Sequence, residues 1–157
     1  MNLILLGIMA GIAGTLVMDA MNYLLSRGGL LQEIDIRMIG RMSAGWSRGR
    51  FRYQHPQEMQ ESGGEWVLGW ITHYAISVMF ALIYVLGWHF LFGNPVSAAW
   101  ALVYGIATTI ASQCLVFPSM GLGLFGRRSP HGLRAPLSSL ANHTFFGIGM
   151  ALVIALL

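Results

Sequence analysis

The chain has 157 residues, of which 55% are hydrophobic and only 10% are charged, and its formal net charge is +3. A soluble domain carries about 25% charged residues, so this composition excludes an ordinary soluble enzyme and indicates a membrane protein. The positive balance does not indicate a nucleic-acid-binding protein, because it arises from a few arginines in a chain that has very few acidic residues. The single cysteine, Cys114, excludes an intrachain disulfide and a cysteine-rich zinc site.

Four apolar runs are long enough to cross a bilayer. They cover about residues 2–25, 66–92, 96–117 and 137–157, and a crossing requires roughly 20 residues. Each run is predicted to be a helix, because a crossing segment must satisfy its own backbone polar groups. The turn Gly93-Asn94-Pro95 joins the second and third runs closely. The sequence therefore predicts an all-α integral membrane four-helix bundle that forms one domain, residues 1–157.

The positions of the basic residues predict the orientation of this bundle. All nine are arginines, and they lie in the first and third connections only: Arg27, Arg37, Arg41, Arg48, Arg50, Arg52, Arg127, Arg128 and Arg134. Basic residues are enriched in loops on the cytoplasmic side of a membrane. We therefore predict that the arginine-bearing connections are cytoplasmic, and that both termini and the 93–95 turn face the outer, periplasmic side of an inner membrane.

The long inner loop between the first two helices has a pattern of its own. It runs for about forty residues, which is far longer than an ordinary connection. Apolar residues recur in it at helical spacing: Leu30, Leu31, Ile34, Met38, Ile39 and Met42. This pattern predicts a short amphipathic helix, which either lies on the inner leaflet or packs against the bundle.

Small residues predict close packing between the spans. Gly7, Gly11 and Gly14 lie near one face of the first helix, and Ser139, His143 and Gly147 repeat every four residues on the fourth. Small side chains at this spacing let helix backbones approach closely in lipid.

Each predicted span carries one strongly polar residue near its cytoplasmic end. These residues are Asp19, His73, Gln113 and His143, and their distances from the helix ends place them roughly 6–11 Å below the interface. A polar group at that depth is costly unless it is paired or hydrated. We therefore expect the four side chains to face inward, and we expect Glu65, which shares a helix face with Gly69 and His73, to form the entrance to their cleft.

Four interpretations of this polar layer remain open. It is either a hydrogen-bond network that fastens the bundle, a zinc or non-haem iron site built from the two histidines with Asp19 or Glu65, a haem site ligated by His73 and His143, or a proton relay. No helix carries the HExxH or ExxH spacing of many metal sites.

The cytoplasmic loops offer candidate anion-binding residues. The segment Gly121–Gly126 reads GxGxxG, but it follows a spanning helix and lacks the βαβ context of a dinucleotide site. A glycine-rich loop also directs backbone N–H groups at anions. We therefore predict that phosphate or anionic lipid headgroups bind near Arg50, Arg52, Gly121, Gly123, Arg127, Arg128, Ser129 and Arg134. Binding of nucleic acid is not expected, since one short arginine and aromatic stretch supplies few phosphate contacts.

An ordered set of short motifs along the chain resembles a bacterial membrane family, "domain of unknown function 2938". The matching segments are residues 11–19, 49–52, 64–70 with His73 and Tyr74, 118–123, 138–140 with His143, and 146–147. The resemblance implies a bacterial inner-membrane protein and no established activity. It places Asp19, Glu65, His73 and His143 within the matching segments.

Three functional hypotheses follow from the sequence. The first is a buried polar site near the cytoplasmic leaflet, built from Asp19, His73 and His143 with Gln113 and Glu65, that binds a metal ion, a haem or a small polar ligand. The second is a non-catalytic accessory subunit of a larger membrane complex. The third is a small transporter that functions as a homo-oligomer. The sequence leaves open whether the protein is an enzyme.

Overall fold

The computed structural model describes residues 2–93 and 95–157, and over these residues the chain is helical with no strand. Its main helices are α1 (Leu3–Arg27), α2 (Ile36–Ser47), α3 (Glu65–Phe92), α4 (Ala98–Ser119) and α5 (Arg134–Leu156). Two short 3-10 turns, Pro56–Glu58 and Leu124–Gly126, lie in the connections. Of the predicted turn Gly93-Asn94-Pro95, Asn94 lies outside the described residues.

Four of these helices, α1, α3, α4 and α5, are long and apolar enough to span a membrane, so the four predicted apolar helices are present. Local signals set their ends. The side chains of Asn2 and Ser97 accept hydrogen bonds from the first-turn amides of α1 and α4, and α3 stops at Gly93, whose φ is +79°. Helix α5 begins at Arg134, three residues earlier than the sequence predicted, and includes Pro136 in its first turn.

The spanning helices form a row in which α1 and α5 occupy the middle. Helix α5 packs against α1 and α4, and α1 also packs against α3, whereas α3 and α4 make few contacts with each other. One link between α3 and α4 is the Tyr104 hydroxyl, which donates to the Phe80 carbonyl at 3.0 Å. Along the helix axes the bundle has two ends. The turn end carries residues 95–97, the start of α1 and the end of α5, and the loop end carries the two long connections.

Glycines allow the closest helix crossings. A Cβ atom added to Gly149 on α5 would lie 2.7 Å from the Gly14 Cα atom on α1, and one added to Gly105 on α4 would overlap the Gly147 Cα atom on α5. The predicted close packing through Gly14 and Gly147 is therefore confirmed. Around these crossings lies an apolar core that includes Ala10, Val85, Ala101 and Met150, all fully buried.

At the loop end, the connections fold into a layer of their own. We call this the loop layer; it comprises α2 with residues 48–64 and 120–133. Its core is formed by Ile39, Met42, Tyr53, Met59, Met120 and Leu122. Helix α2 packs closely on the start of α3, since a Cβ atom on Gly40 would overlap the Glu65 carbonyl and one on Gly69 would overlap the Ile36 carbonyl.

The predicted amphipathic helix is therefore present and is packed against the bundle. It is shorter than the apolar pattern indicated, because it begins at Ile36 with the Asp35 side chain as its N-cap. Leu30, Leu31 and Ile34 lie before it, and their helical spacing does not correspond to a helix. Hydrogen bonds from α1 and α5 hold this stretch in a non-helical conformation, as described below.

Candidate functional site

Asp19 on α1 and His73 on α3 form a hydrogen-bonded pair inside the row of spanning helices. The Asp19 Oδ1 and His73 Nε2 atoms lie 2.9 Å apart, and the two side chains are only 19% and 11% exposed. An ionised carboxylate only accepts hydrogen bonds, so beside an ionised Asp19 the His73 Nε2 atom carries the hydrogen. In a neutral imidazole, the Nδ1 atom of His73 is then an acceptor for a hydrogen bond from another group.

The packing of α1 against α3 aligns this pair. The two helices are antiparallel, with Gly7 against Leu82 and Gly11 against Val78. Asp19 follows Gly11 by eight residues, about two helical turns, and therefore lies on the same side of α1. Asp19 precedes the end of α1 by eight residues and His73 follows the start of α3 by eight, so both lie about 12 Å from the loop end.

The second carboxylate oxygen of Asp19 is buried, and among the described residues it has no hydrogen-bond partner. Buried polar atoms are nearly always paired, because an unpaired one loses its hydration without compensation. Around the pair, the His73 ring contacts Trp70 and Tyr74 edge-on, with ring centroids 5.9 Å and 5.8 Å apart. The Tyr74 hydroxyl lies near the Asp19 carboxylate but is not a hydrogen-bond partner of its Oδ2 atom.

The other two predicted members of the layer make their hydrogen bonds between α4 and α5. The His143 Nδ1 atom lies 2.7 Å from the Thr108 hydroxyl, which itself donates to the Gly105 carbonyl at 2.6 Å. The Gln113 amide donates to the Pro136 carbonyl at 2.9 Å. Within the described part of the chain, the hydrogen bonds of the four residues therefore form two separate sets, one on α1 and α3 and one on α4 and α5.

Glu65 binds α2 instead of lying free at an entrance. Its two carboxylate oxygens accept from Arg41 at 2.8 Å and 3.0 Å, and Arg37 lies 3.8 Å away. The hydrogen bond from Arg41 to Glu65 raises the pKa of the Arg41 guanidinium above its ordinary value, so this cation is permanent. Gly69, which shares a helix face with Glu65 and His73, makes room for the backbone of α2.

No group of three or more histidine, cysteine, aspartate or glutamate side chains is close enough to hold a metal ion in residues 2–93 and 95–157. The Asp19–His73 pair supplies two such side chains, which is fewer than the three or four protein ligands of a typical zinc site. A haem bound between His73 and His143 would require the His73 Nε2 atom as a ligand, and that atom is already hydrogen-bonded to Asp19.

The predicted anion-binding residues lie in the loop layer or beside it, and three of their arginines are engaged within the protein. Arg128 donates to the Gln54 side chain at 2.7 Å, Arg50 donates to Glu58 at 3.3 Å, and Arg134 donates to the Gly29 carbonyl. Gly121 and Gly123 are buried, and the Ser129 hydroxyl accepts from the His131 amide. The Arg52 and Arg127 residues are exposed on the protein surface.

Sequence reasoning missed Asn22, whose side chain makes three hydrogen bonds. Its amide nitrogen donates to the Gln32 carbonyl at 3.0 Å and to the Asn142 side chain at 3.1 Å, and its oxygen accepts from the Ile34 amide at 3.1 Å. Nearby, the Ser138 hydroxyl accepts from the Gln32 amide at 2.8 Å. Asn22 thereby joins α1, α5 and the stretch before α2. The available signal was an asparagine inside an apolar run.

A π-helical segment, Ser112–Val116, interrupts α4 and was also missed. It lies immediately before Phe117 and Pro118. Because proline has no backbone N–H, the Cys114 carbonyl lacks its usual helical partner, and a wider helical turn accommodates this loss. The segment contains Gln113 and so directs this side chain toward α5.

The family described as "Protein of unknown function (DUF2938)" matches residues 8–157. The matched range contains Asp19, Asn22, His73 and His143. No curated protein and no solved structure matches the chain.

Proposed function

The chain belongs to the DUF2938 family, and we propose that it is a multi-pass protein of a bacterial inner membrane that binds a ligand through Asp19 and His73. The bound part of the ligand is a small polar group that donates a hydrogen bond. One observation carries this proposal: the buried Asp19 Oδ2 atom, beside a histidine, has no partner among the described residues.

The surface of the helices supports membrane insertion. Large apolar side chains on the spans are more than half exposed, among them Leu5, Leu16, Ile71, Ile83 and Ile110. Such exposure is compatible with lipid contact and unfavourable in water. The arginines all lie at the loop end or in the loop layer, which supports a cytoplasmic loop layer and periplasmic termini. Exposed Arg52 and Arg127 are then placed to attract anionic lipid headgroups.

The chemistry of the pair favours a hydrogen-donating group over a metal or a haem. A carboxylate oxygen in an apolar interior costs several kcal/mol unless a donor satisfies it. A ligand hydroxyl or amine supplies that donor, and the His73 Nδ1 atom supplies a second polar contact. A metal ion requires more ligands than the pair provides.

Removal of the carboxylate tests this proposal. The wild-type protein is purified into lipid nanodiscs with two variants, Asp19→Leu and Asp35→Asn. Asp35 is the N-cap of α2, and asparagine caps equally well, so the second variant loses one negative charge and keeps its fold. Native mass spectrometry, metal analysis and an absorption spectrum are recorded for each protein.

We expect the same bound small molecule on the wild type and Asp35→Asn, no stoichiometric metal or haem, and no bound molecule on Asp19→Leu. The proposal is overturned by an equal bound mass on Asp19→Leu, by a wild type without any ligand, or by a stoichiometric metal or haem that disappears with Asp19.

A further inference from the structure

An apolar groove runs along the surface of the α1–α3 pair. It has a volume of about 780 Å³ and is lined by Ile12 of α1 and by residues of α3 between Tyr74 and Gly87. Ile12, Met79 and Ile83 are 41%, 48% and 53% exposed, so the groove is open to the exterior of the bundle.

The groove ends at Tyr74, which is the neighbour of the Asp19–His73 pair. Tyr74, its lining residue nearest to the loop end, directly follows His73 and packs edge-on against the His73 ring, with ring centroids 5.8 Å apart. On α1, Ile12 precedes Asp19 by seven residues, two turns along the same face. From Tyr74 to Gly87 the groove extends for roughly 20 Å. The long apolar groove therefore has a single polar end.

The depth of that end restricts the ligand. Asp19 lies about 12 Å from the end of α1, a depth at which a phosphate or another charged headgroup is costly to bury. The Asp19 carboxylate also repels anions and requires a donor. A neutral hydroxyl satisfies these conditions, because it donates to Asp19 Oδ2 and accepts from the Tyr74 phenol.

We propose that the ligand is a long-chain lipid with a small hydroxyl head, whose chain lies in the α1–α3 groove and whose hydroxyl binds at Asp19, His73 and Tyr74. This inference rests on the proposed function and adds the class of the ligand. The lining of the groove supports this inference, since apart from Tyr74 it consists of aliphatic side chains, methionine and glycine.

Photo-crosslinking in lipid nanodiscs tests the inference. The probe is hexadecanol with a diazirine group in the middle of its chain, and labelled peptides are mapped by mass spectrometry. Unlabelled hexadecanol, hexadecane and hexadecylamine serve as competitors. Gly87→Leu places a side chain where a Cβ atom has no neighbour within 4 Å, so it narrows the groove without disturbing the helix. Gly87→Ala is the matched control.

We expect wild-type labelling between residues 75 and 87, competition at least tenfold stronger by hexadecanol than by hexadecane, and markedly less labelling of Gly87→Leu than of Gly87→Ala. In Asp19→Leu the advantage of hexadecanol over hexadecane should disappear. Equal competition by hexadecane and hexadecanol on the wild type overturns the inference, and so does stronger competition by hexadecylamine than by hexadecanol.

The two proposals fail in different ways. If Gly87→Leu is labelled as strongly as Gly87→Ala while hexadecanol selectivity still depends on Asp19, the proposed groove is overturned and the polar site of the proposed function stands. If hexadecanol still competes better than hexadecane in Asp19→Leu, the polar site itself is overturned.

Discussion

Asp19 and His73 are 54 positions apart in the sequence, yet their Oδ1 and Nε2 atoms are within 2.9 Å of each other. The contact requires α1 and α3 to be in one fixed register, which the Gly7–Leu82 and Gly11–Val78 approaches also enforce. A hydrogen bond in this apolar setting thus links helix packing to the chemistry of the proposed site.

The stabilities of Asp19 and His73 variants should be coupled. In a double-mutant cycle with Asp19→Leu and His73→Phe, we expect a coupling energy between about 0.6 and 1.7 kcal/mol, the average and the maximum measured for hydrogen bonds between spanning helices. Reversible unfolding in bicelles measures it. Strictly additive effects would show that the two side chains do not interact.

The contact between α2 and α3 should be sensitive to one methyl group. We expect Gly69→Ala to destabilise the protein by about 1–3 kcal/mol, because its Cβ atom overlaps the Ile36 carbonyl. Detachment of α2 should also speed tryptic cleavage after Arg37 and Arg41.

Gly87→Ala is the matched control in the same helix. A Cβ atom there meets no neighbour within 4 Å, so the substitution should be neutral or stabilising by up to about 1 kcal/mol through helix propensity. Similar cleavage rates in the two variants would contradict the packing described for α2.

Asn22 should protect the backbone before α2 from hydrogen exchange. Asn22→Ala removes the acceptor of the Ile34 amide, so we expect that amide to exchange rapidly, with a loss of about 1–3 kcal/mol in stability. In Asn142→Ala, Asn22 keeps two of its three hydrogen bonds, and Ile34 should stay protected. Equal protection of Ile34 in both variants would contradict the role assigned to Asn22.

His143 should hold its hydrogen on Nδ1. The Thr108 hydroxyl already donates to Gly105, so Nδ1–H is expected to donate to the Thr108 oxygen. Nitrogen-15 NMR of the imidazole reports the tautomer directly. We expect the Nδ1–H form in the wild type and a changed spectrum in Thr108→Val; an unprotonated Nδ1 in the wild type would contradict this assignment.

The orientation in the membrane is testable with single cysteines. In a Cys114→Ser background, a membrane-impermeant thiol reagent applied to whole cells should label Leu157→Cys and should not label His131→Cys. His131 is exposed in the loop layer, so it becomes reactive once the membrane is opened. The reverse pattern would place the arginines outside.

Much of the fold could be predicted from the sequence, because long apolar helices are easily recognised. Length and hydropathy located the four spans, and glycine positions such as Gly14 and Gly147 indicated where backbones approach. The pairing of Asp19 with His73 agrees with their equal depth on antiparallel helices.

The rotation of each helix about its own axis could not be predicted from length and hydropathy. The spans are apolar on all sides, so their periodicity does not show that His143 faces Thr108 while His73 faces Asp19. Nor does it show that Asn22 binds the stretch before α2, since that contact depends on how a connection folds back. The π-helical turn before Pro118 similarly depends on local backbone hydrogen bonding.

The most direct test of the central claim is solid-state NMR of His73 in lipid bilayers. With nitrogen-15 histidine and carbon-13 aspartate, we expect a through-space correlation between the His73 Nε2 nitrogen and the Asp19 carboxyl carbon, and a shift of the His73 ring signals in Asp19→Asn but not in Asp35→Asn. A His73 spectrum that lacks this correlation and is identical in all three proteins would contradict the account.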